Sequence, residues 1–488
     1  MKRIAILGGG ISGLTAAYEL EQARKRGAEI DWHLYEATNR LGGIISTTRH
    51  STPEGDFILE NGPDGWVSEK PWARELAIEL GLEDELIHSN DATRKTYILR
   101  TGKLEAIPDG MRMMVPTDLS VLDGSPLFST EAKLAYAAEP GHAEELKAQA
   151  PDTDESVASF VRRHFGDEVL ETLAAPLLSG VFGGDVHKLS VRAVMPQFVA
   201  MEREHGSLIL ALQAKSAQSK RAQQPIFTSL RSGMGSLVDA LVATLPAERI
   251  HRNLDTCVQE EGGWKVMAGR PFREFLCFVH YRTRSEKDIF EPFDEIVLAT
   301  PLDVTKQLLH ASGAADRALL PQQASSAILT AFVWPAETAN TFNVPPGFGF
   351  LAPQGKESSG NELLACTFVD QKFPHRVPAD SRIIRTFFGG SAAASLEKES
   401  DETIAGEALA QLRQILGGIP EPSFQTVQRL PNSLPQYEVG HLDRIAELEG
   451  QIASPGGLTL LGNSYHGVGI PDLIRDARAA ARKLISDL

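Results

Sequence analysis

The residues of this chain that could do chemistry begin at its first turn. Gly8, Gly10 and Gly13 stand in the spacing G-x-G-x-x-G, between the apolar run from Lys2 to Leu7 and the helical pattern from Leu14 to Leu20. In such a turn the first glycine permits the bend and the second lets backbone approach a pyrophosphate. The third lets helix and strand pack closely. Gly8, Gly9, Gly10, Ile11, Ser12, Gly13 and Leu14 therefore form a candidate phosphate cradle, with free N–H groups at a helix N-terminus as the anion site. A second strand, Asp31 to Glu36, ends in a carboxylate twenty-six residues beyond Gly10. Glu36 is placed to accept both hydroxyl hydrogens of an adenosine ribose. The run continues as E-x-x-x-R-x-G-G, in which Arg40 is expected to contact phosphate and Gly42 and Gly43 to let the chain pass under a flat ring system.

That extension resembles the two-dinucleotide-binding-domain flavoproteins more than the nicotinamide dehydrogenases, and the cofactor this resemblance implies is FAD. Such folds are discontinuous, so remote segments must return to the flavin. After the extended run ending at Glu60, the turn containing Gly62, Pro63 and Asp64 is expected to lay backbone beside the isoalloxazine. SLRSGMGSLVDALVATLP (229–246) reads as a glycine turn feeding an amphipathic helix. Strands are expected at 250–260, 263–266 and 274–281, with a further strand from Phe293 ending in Ala299-Thr300-Pro301. Val258 lies where the superfamily makes a backbone contact to adenine. Near the C-terminus, a strand from Leu458 leads through Val468, Gly469 and Ile470 into a helix over 472–485. Pro471 suits its first turn, and its positive end would stabilise charge on a reduced flavin. His466 and His441 are weighed as bases against purely structural histidines.

Composition narrows the class. The chain has 488 residues, 42% apolar and 23% charged, which is neither disordered nor fibrous. Its 48 basic and 64 acidic residues give a formal net charge of −16, which argues against a nucleic-acid partner. Three cysteines, at 257, 277 and 366, form no C-x-x-C pair, so a disulfide scaffold, a dithiol relay and a cysteine metal site are not expected. The opening MKRIAILGGG turns to glycine where a leader peptide would stay apolar, and no apolar run reaches 18 residues. A cytoplasmic location is expected, with peripheral attachment to the inner face of the cell membrane as the alternative.

The elements that must position these residues suggest an α/β fold with three parts. A discontinuous Rossmann-like FAD-binding domain takes 1–65, 226–304 and 426–488. An α+β substrate domain takes 66–110 and 305–425, and a helical domain takes 111–225. The segment AVMPQFVAMEREHGSLILALQAK repeats apolar residues at helical spacing. Internal packing accounts for such a stripe; a membrane-facing or tunnel-forming surface is the alternative.

Nearly the whole chain resembles the porphyrinogen oxidases of haem biosynthesis, commonly called protoporphyrinogen oxidases, whose bacterial members include coproporphyrinogen III oxidases. The motifs are GGGISGLTAAYEL with EATNRLGG, ENGPDGW, APLLSGVFGGDVHKLSV, SLRSGMGSLVDAL and YHGVGIPDLI. The resemblance implies a p-hydroxybenzoate-hydroxylase-type FAD domain. It assigns FAD to Gly8 to Leu14, Glu36, Arg40, Gly43, Gly62 to Asp64, Val258 and Val468 to Ile470. It implies a six-electron oxidation in three flavin cycles, with hydride passing from a meso carbon to flavin N5 and dioxygen reduced to H2O2, and no classical catalytic side chain. Plant and mammalian members carry a propionate-pairing arginine where this chain has Thr96. That departure favours a coproporphyrinogen-type substrate with four carboxylates, for which Arg94, Thr96 and Arg100 are the candidate contacts, with Lys95, Arg112, Lys188 and Arg192 as further basic groups. Hand-over of product to the next haem-pathway enzyme is a possible partnership. An amine oxidase or carotenoid desaturase, and a non-catalytic flavin-bound porphyrin-handling protein, are the competing readings.

Overall fold

The computed structural model describes residues 1–218, 225–260, 264–269, 289–311, 323–353, 362–453 and 457–487. Its first layer is a parallel five-stranded sheet. The strands are β1 (Lys2–Leu7), β2 (Ile30–Glu36), β3 (Ile250–Arg252), β4 (Glu295–Leu298) and β5 (Leu458–Leu460), in the order β3-β2-β1-β4-β5. Leu7 pairs with Tyr35 and Leu298, Glu36 with Arg252, and Leu298 with Leu460. The carboxyl ends of segments hundreds of residues apart therefore come to one edge, where open parallel sheets bind ligands.

Alternation along β1 explains why both faces are covered. Ile4 and Ile6 join Trp32 and Leu34 against helix α1 (Ile11–Lys25) and the terminal helix α2 (Ile470–Ser486). Ala5 and Leu7 face the other way, into a cluster with Tyr35, Ile296, Phe293 and Ile445. Three antiparallel strands, Asp255–Glu260, Trp264–Gly269 and Ile289–Phe293, lie on that second side. The sequence expects one strand over 250–260; the chain instead pairs in parallel to Arg252, turns through Asn253 at positive φ, and joins the three-stranded sheet. The expected strand 274–281 lies outside the described residues.

The second layer is a seven-stranded, mostly antiparallel sheet. Its order is 424–435, 324–334, 382–389, 363–368, 349–351, 96–100 and 103–106. Helix Asp401–Leu416 covers one face through Ile404, Ala408 and Leu412 on Phe332, Trp334 and Ile384. The pairing carries this layer to Pro435, ten residues past the boundary at 425 suggested by the sequence. Residues 72–79 form a helix whose Ala73, Leu76 and Ala77 pack into the first layer's core, whereas 96–106 join the seven-stranded sheet.

Helices between 130 and 218 build a third unit around Phe160, Phe165, Leu173, Phe198 and Leu208. Most of the apolar stripe is spent inside it: Met195, Phe198, Leu208, Ile209 and Leu212 are buried, while Leu210 is exposed. Among the described residues, no helix is long and apolar enough to cross a membrane.

Candidate cofactor and substrate cleft

A cleft of about 640 Å³ opens along the carboxyl edge of the parallel sheet. Gly8, at φ +105°, turns the chain so tightly over β4 that a Cβ there would lie 2.4 Å from the Ala299 carbonyl oxygen. A Cβ at Gly13 would lie 2.0 Å from the Gly8 oxygen, so α1 rests directly on the turn. Gly10 differs. Its φ is −73°, and an added Cβ would meet nothing nearer than the Gly43 Cα at 4.0 Å. Gly43 faces it across a slot without side chains, and both residues line the cleft. No packing inside the chain requires glycine at position 10, but a pyrophosphate threaded through the slot would. The N-terminus of α1 has no side-chain cap, so its first N–H groups remain as donors beside Ile11 and Ser12.

Glu36 is held at the end of β2. One carboxylate oxygen accepts from the Gly9 N–H at 2.8 Å; the other accepts from the Thr38 N–H at 2.9 Å and its hydroxyl at 2.8 Å. Arg40 lines the cleft, but its guanidinium donates to the carbonyls of Leu41, Ile45 and Gly43. It braces the loop under Gly42 instead of reaching out as the phosphate ligand expected from sequence. Leu14 and Gly13 support the turn from the core side and do not line the cleft. Val258 sits on Asp255–Glu260, paired with Val266 and outside the described lining. Its strand leaves from the Glu36 end, where the Leu254 N–H donates to the Glu36 carbonyl at 3.2 Å.

Asn61, Pro63, Asp64 and Gly65 line the next section of wall. Gly62 lies just behind, because a Cβ there would strike the Ile44 carbonyl oxygen at 2.0 Å. Asp64 meets Lys372 Nζ at 3.0 and 3.1 Å and Arg385 at 3.4 Å. Burial would raise its carboxyl, but Lys372 and Arg385 outweigh that and hold it at about 2. Glu60 accepts from the Met234 N–H at 2.7 Å and pairs with the buried Arg376. It thereby ties the N-terminus of helix Gly235–Ala243 to the same segment.

Val468, Gly469 and Ile470 line the far end, at the side-chain-uncapped N-terminus of α2. His466 is outside the described lining; its Nε2 lies 2.7 Å from Glu449 with the side chain 41% exposed. His441 is buried, and its Nε2–H donates to the Tyr465 carbonyl at 2.8 Å. Burial pushes its pKa down to about 4, so it is neutral at pH 7. Tyr437 stacks on it and donates to the Asn463 carbonyl at 2.6 Å. Both histidines therefore brace the C-terminal stretch from outside the cleft.

Gln428–Ser433 and Phe227 also line the cleft. Ile44 and Val67, 44% and 43% exposed, are large apolar residues facing this space. The basic groups expected near the substrate fall elsewhere. Arg100 donates to the Leu127 carbonyl and pairs with Glu168 at 3.7 Å in the helical unit. Arg94 and Thr96 lie outside the described lining, on the segment leading into strand 96–100. Lys70 is the lining cation that sequence reasoning missed; its Nζ meets Asp472 at 2.6 Å. Arg40 and Arg429 also line the cleft, but their guanidinium groups are spent on protein oxygens. Among the described lining cations, Lys70 keeps ammonium hydrogens beyond its contact with Asp472. It lies 402 residues from that partner, beyond the reach of local pattern.

A glycine slot backed by a ribose-type carboxylate, closed by a second sheet with apolar walls, defines a nucleotide-dependent oxidoreductase of the two-layer flavoprotein kind. The chain belongs to the flavin containing amine oxidoreductase family, whose pattern matches residues 11–485. It is an FAD-dependent oxidoreductase. Within that family it is 30% identical to the coproporphyrinogen III oxidase of Bacillus subtilis (strain 168), over 100% of this chain and 98% of that one. It is 29% identical to the coproporphyrinogen III oxidase of Staphylococcus aureus (strain NCTC 8325 / PS 47), with 100% of both chains covered. A crystal structure from Exiguobacterium sp. 255-15, provisionally named a protoporphyrinogen oxidase, superposes with a TM-score of 0.82 at 29% identity. That match covers 100% of this chain and 99% of the other.

Proposed function

We propose that this chain oxidises a porphyrinogen in haem biosynthesis, with coproporphyrinogen III preferred over protoporphyrinogen IX and dioxygen as the electron acceptor. The observation that carries this reading is full-length similarity to two bacterial coproporphyrinogen III oxidases, joined to a cleft in which the cofactor cradle and an apolar wall face one another. Bound FAD supplies a two-electron acceptor, so removal of six electrons and six protons takes three rounds and yields three H2O2 from three O2.

The chain's own residues then have separable tasks. Gly10, Gly43 and the N-terminus of α1 receive the pyrophosphate, and Glu36 takes the ribose hydroxyls. Val258 contacts the adenine through its backbone, and Gly62 to Asp64 and Val468 to Ile470 flank the flavin ring. Ile44, Val67 and Phe227 give the macrocycle an apolar surface that excludes water, while Lys70 neutralises a substrate carboxylate. Arg94 and Thr96 receive carboxylates that project beyond the described cleft. No side chain is assigned as a general base: the cleft-lining carboxylates Glu36, Asp64 and Asp472 are each engaged by N–H groups or cations. The protein works in the cytoplasm, with peripheral contact at the inner membrane face and hand-over of porphyrin to the next enzyme as further parts of the proposal.

The test is an aerobic assay with coproporphyrinogen III, following porphyrin fluorescence and peroxide together. Three peroxides per porphyrin are expected. Turnover of amines or phytoene without porphyrin formation would contradict the reading.

A further inference from the structure

Behind the Gly62–Gly65 wall lie five charged side chains with little or no access to water: Glu60, Asp64, Lys372, Arg376 and Arg385. Glu60 ends a two-stranded hairpin (47–52 with 55–60) and Asp64 follows it, whereas Lys372 and Arg376 lie on the turns before strand 382–389, which carries Arg385, more than 300 residues away in sequence. Three are cations and two are carboxylates, so the cluster holds one positive charge more than it neutralises. Burying such a surplus costs free energy unless something nearby uses it. The neighbouring charged pair, Asp370 with Arg382 at 3.7 Å, is balanced within itself and removes none of the surplus.

The contacts show what the cluster holds. Arg385 donates to the Gly62 carbonyl. The Asp64 carbonyl accepts from the Ser229 hydroxyl at 2.6 Å, and Arg376 donates to that hydroxyl at 2.6 Å. Both wall carbonyls therefore point away from the cleft. In a trans peptide the following N–H points opposite to the carbonyl, so anchoring the Asp64 oxygen sends the Gly65 N–H to the cleft side. Among the described residues that N–H has no protein acceptor. Lys372 lies 4.2 Å from the centroid of Phe227, a ring that lines the same cleft. The surplus charge is thus separated from the ligand space by one aromatic ring and one turn of backbone.

We propose that Arg385 and Lys372, acting through Asp64, are positioning residues of the cofactor site. They hold the Gly62–Gly65 backbone with its donor facing the cleft, and their surplus charge biases bound FAD toward its reduced, more negative form. The inference rests on the reading that FAD occupies this cleft, and its test needs no porphyrinogen. Parent, Lys372→Met, Arg385→Met and Arg385→Lys proteins are loaded with FAD; dissociation constant and midpoint potential are measured by titration.

Each Met variant neutralises the cluster, so its midpoint potential should move to more negative values. Arg385→Lys keeps the charge and loses the two-pronged reach to Gly62 and Asp64. It should hold the parent potential yet bind FAD roughly tenfold more weakly, the effect of losing one charge-assisted hydrogen bond. Lys372 is on the rim of the cluster, so Lys372→Met carries the potential test by itself if Arg385→Met does not fold. Parent-like potentials in the folded Met variants would overturn the inference. A parent protein that binds no FAD would instead overturn the cofactor reading on which it rests. Porphyrinogen inactivity with the expected potential shifts would contradict only the substrate reading.

Discussion

Gly10 and Gly13 are three residues apart and answer to different partners. At Gly13 a Cβ would collide with the Gly8 carbonyl oxygen, a clash internal to the protein. Gly13→Ala should therefore destabilise the apoprotein itself, by at least about 1–3 kcal/mol on the scale of overpacked cores, read as a lower denaturant midpoint. At Gly10 the backbone suits alanine, and protein atoms leave the Cβ position open. Gly10→Ala should leave apoprotein stability within about 0.5 kcal/mol of the parent while weakening FAD binding by tenfold or more, read by fluorescence titration. Equal FAD affinity in Gly10→Ala would remove the pyrophosphate from this slot. Lys70 has a separate signature. Lys70→Met should raise the KM for coproporphyrinogen III by roughly tenfold through loss of a charge-assisted contact, with FAD content unchanged. A KM like that of the parent would move the substrate carboxylates elsewhere.

Elements were legible from sequence where their signals are local. An apolar run leading into a glycine turn marks β1, a helical pattern marks α1, and the terminal helix Ile470–Ser486 covers the segment 472–485 expected for it. The boundary at 425 cuts the strand Phe424–Pro435, whose place is set by pairing to a strand about one hundred residues earlier and carries no local signal. Its pairing with the eleven-residue strand Ala324–Trp334 runs from Phe424 to Leu430, breaks in a bulge at 431–433 where Asn432 has positive φ, and resumes at Leu434. The charge cluster behind Gly62 had no sequence signal, since its members meet only after two layers close.

The helical unit has its own buried network. His164 lies 3.0 Å from Glu139 and 3.1 Å from Glu202, one carboxylate on each ring nitrogen, a geometry that calls for imidazolium. Glu202 also takes Arg163, which pairs with Glu155, while Glu139 accepts from the Ser207 hydroxyl and the Leu208 N–H. Burial alone would lower the His164 pKa, but hydrogen bonds to both glutamates outweigh it and the pKa is raised above 6.5. The sign follows: the folded state binds the proton more tightly, so this stabilisation is complete below 6.5 and fades as pH rises through the raised value. Thermal stability should fall on that alkaline side, and His164→Gln should lower stability at pH 6 while flattening that pH slope. A His164→Gln profile parallel to the parent's would show that the histidine is not the titrating group.

At the scale of the whole molecule, the −16 charge and the cleft obey different rules. The acidic total counts surface carboxylates separated by solvent and screened within about 10 Å at 0.1 M salt. The cleft is set by the few groups that converge there: Lys70 at its wall, and a positive surplus behind Gly62. On the proposed reading, an anionic tetrapyrrole would therefore meet local cations on an acidic protein. Leu210 is the exposed large apolar residue of the stripe, and sedimentation with anionic liposomes measures membrane contact: partial co-sedimentation that salt reverses is expected, and none at low salt would contradict peripheral binding. The central claim concerns chemistry in the cleft. It is tested most directly by mixing the FAD-loaded protein anaerobically with coproporphyrinogen III, protoporphyrinogen IX or an amine and following flavin absorbance. Rapid bleaching by coproporphyrinogen III, slower bleaching by protoporphyrinogen IX and none by the amine are predicted; bleaching by the amine with neither porphyrinogen active would contradict the account.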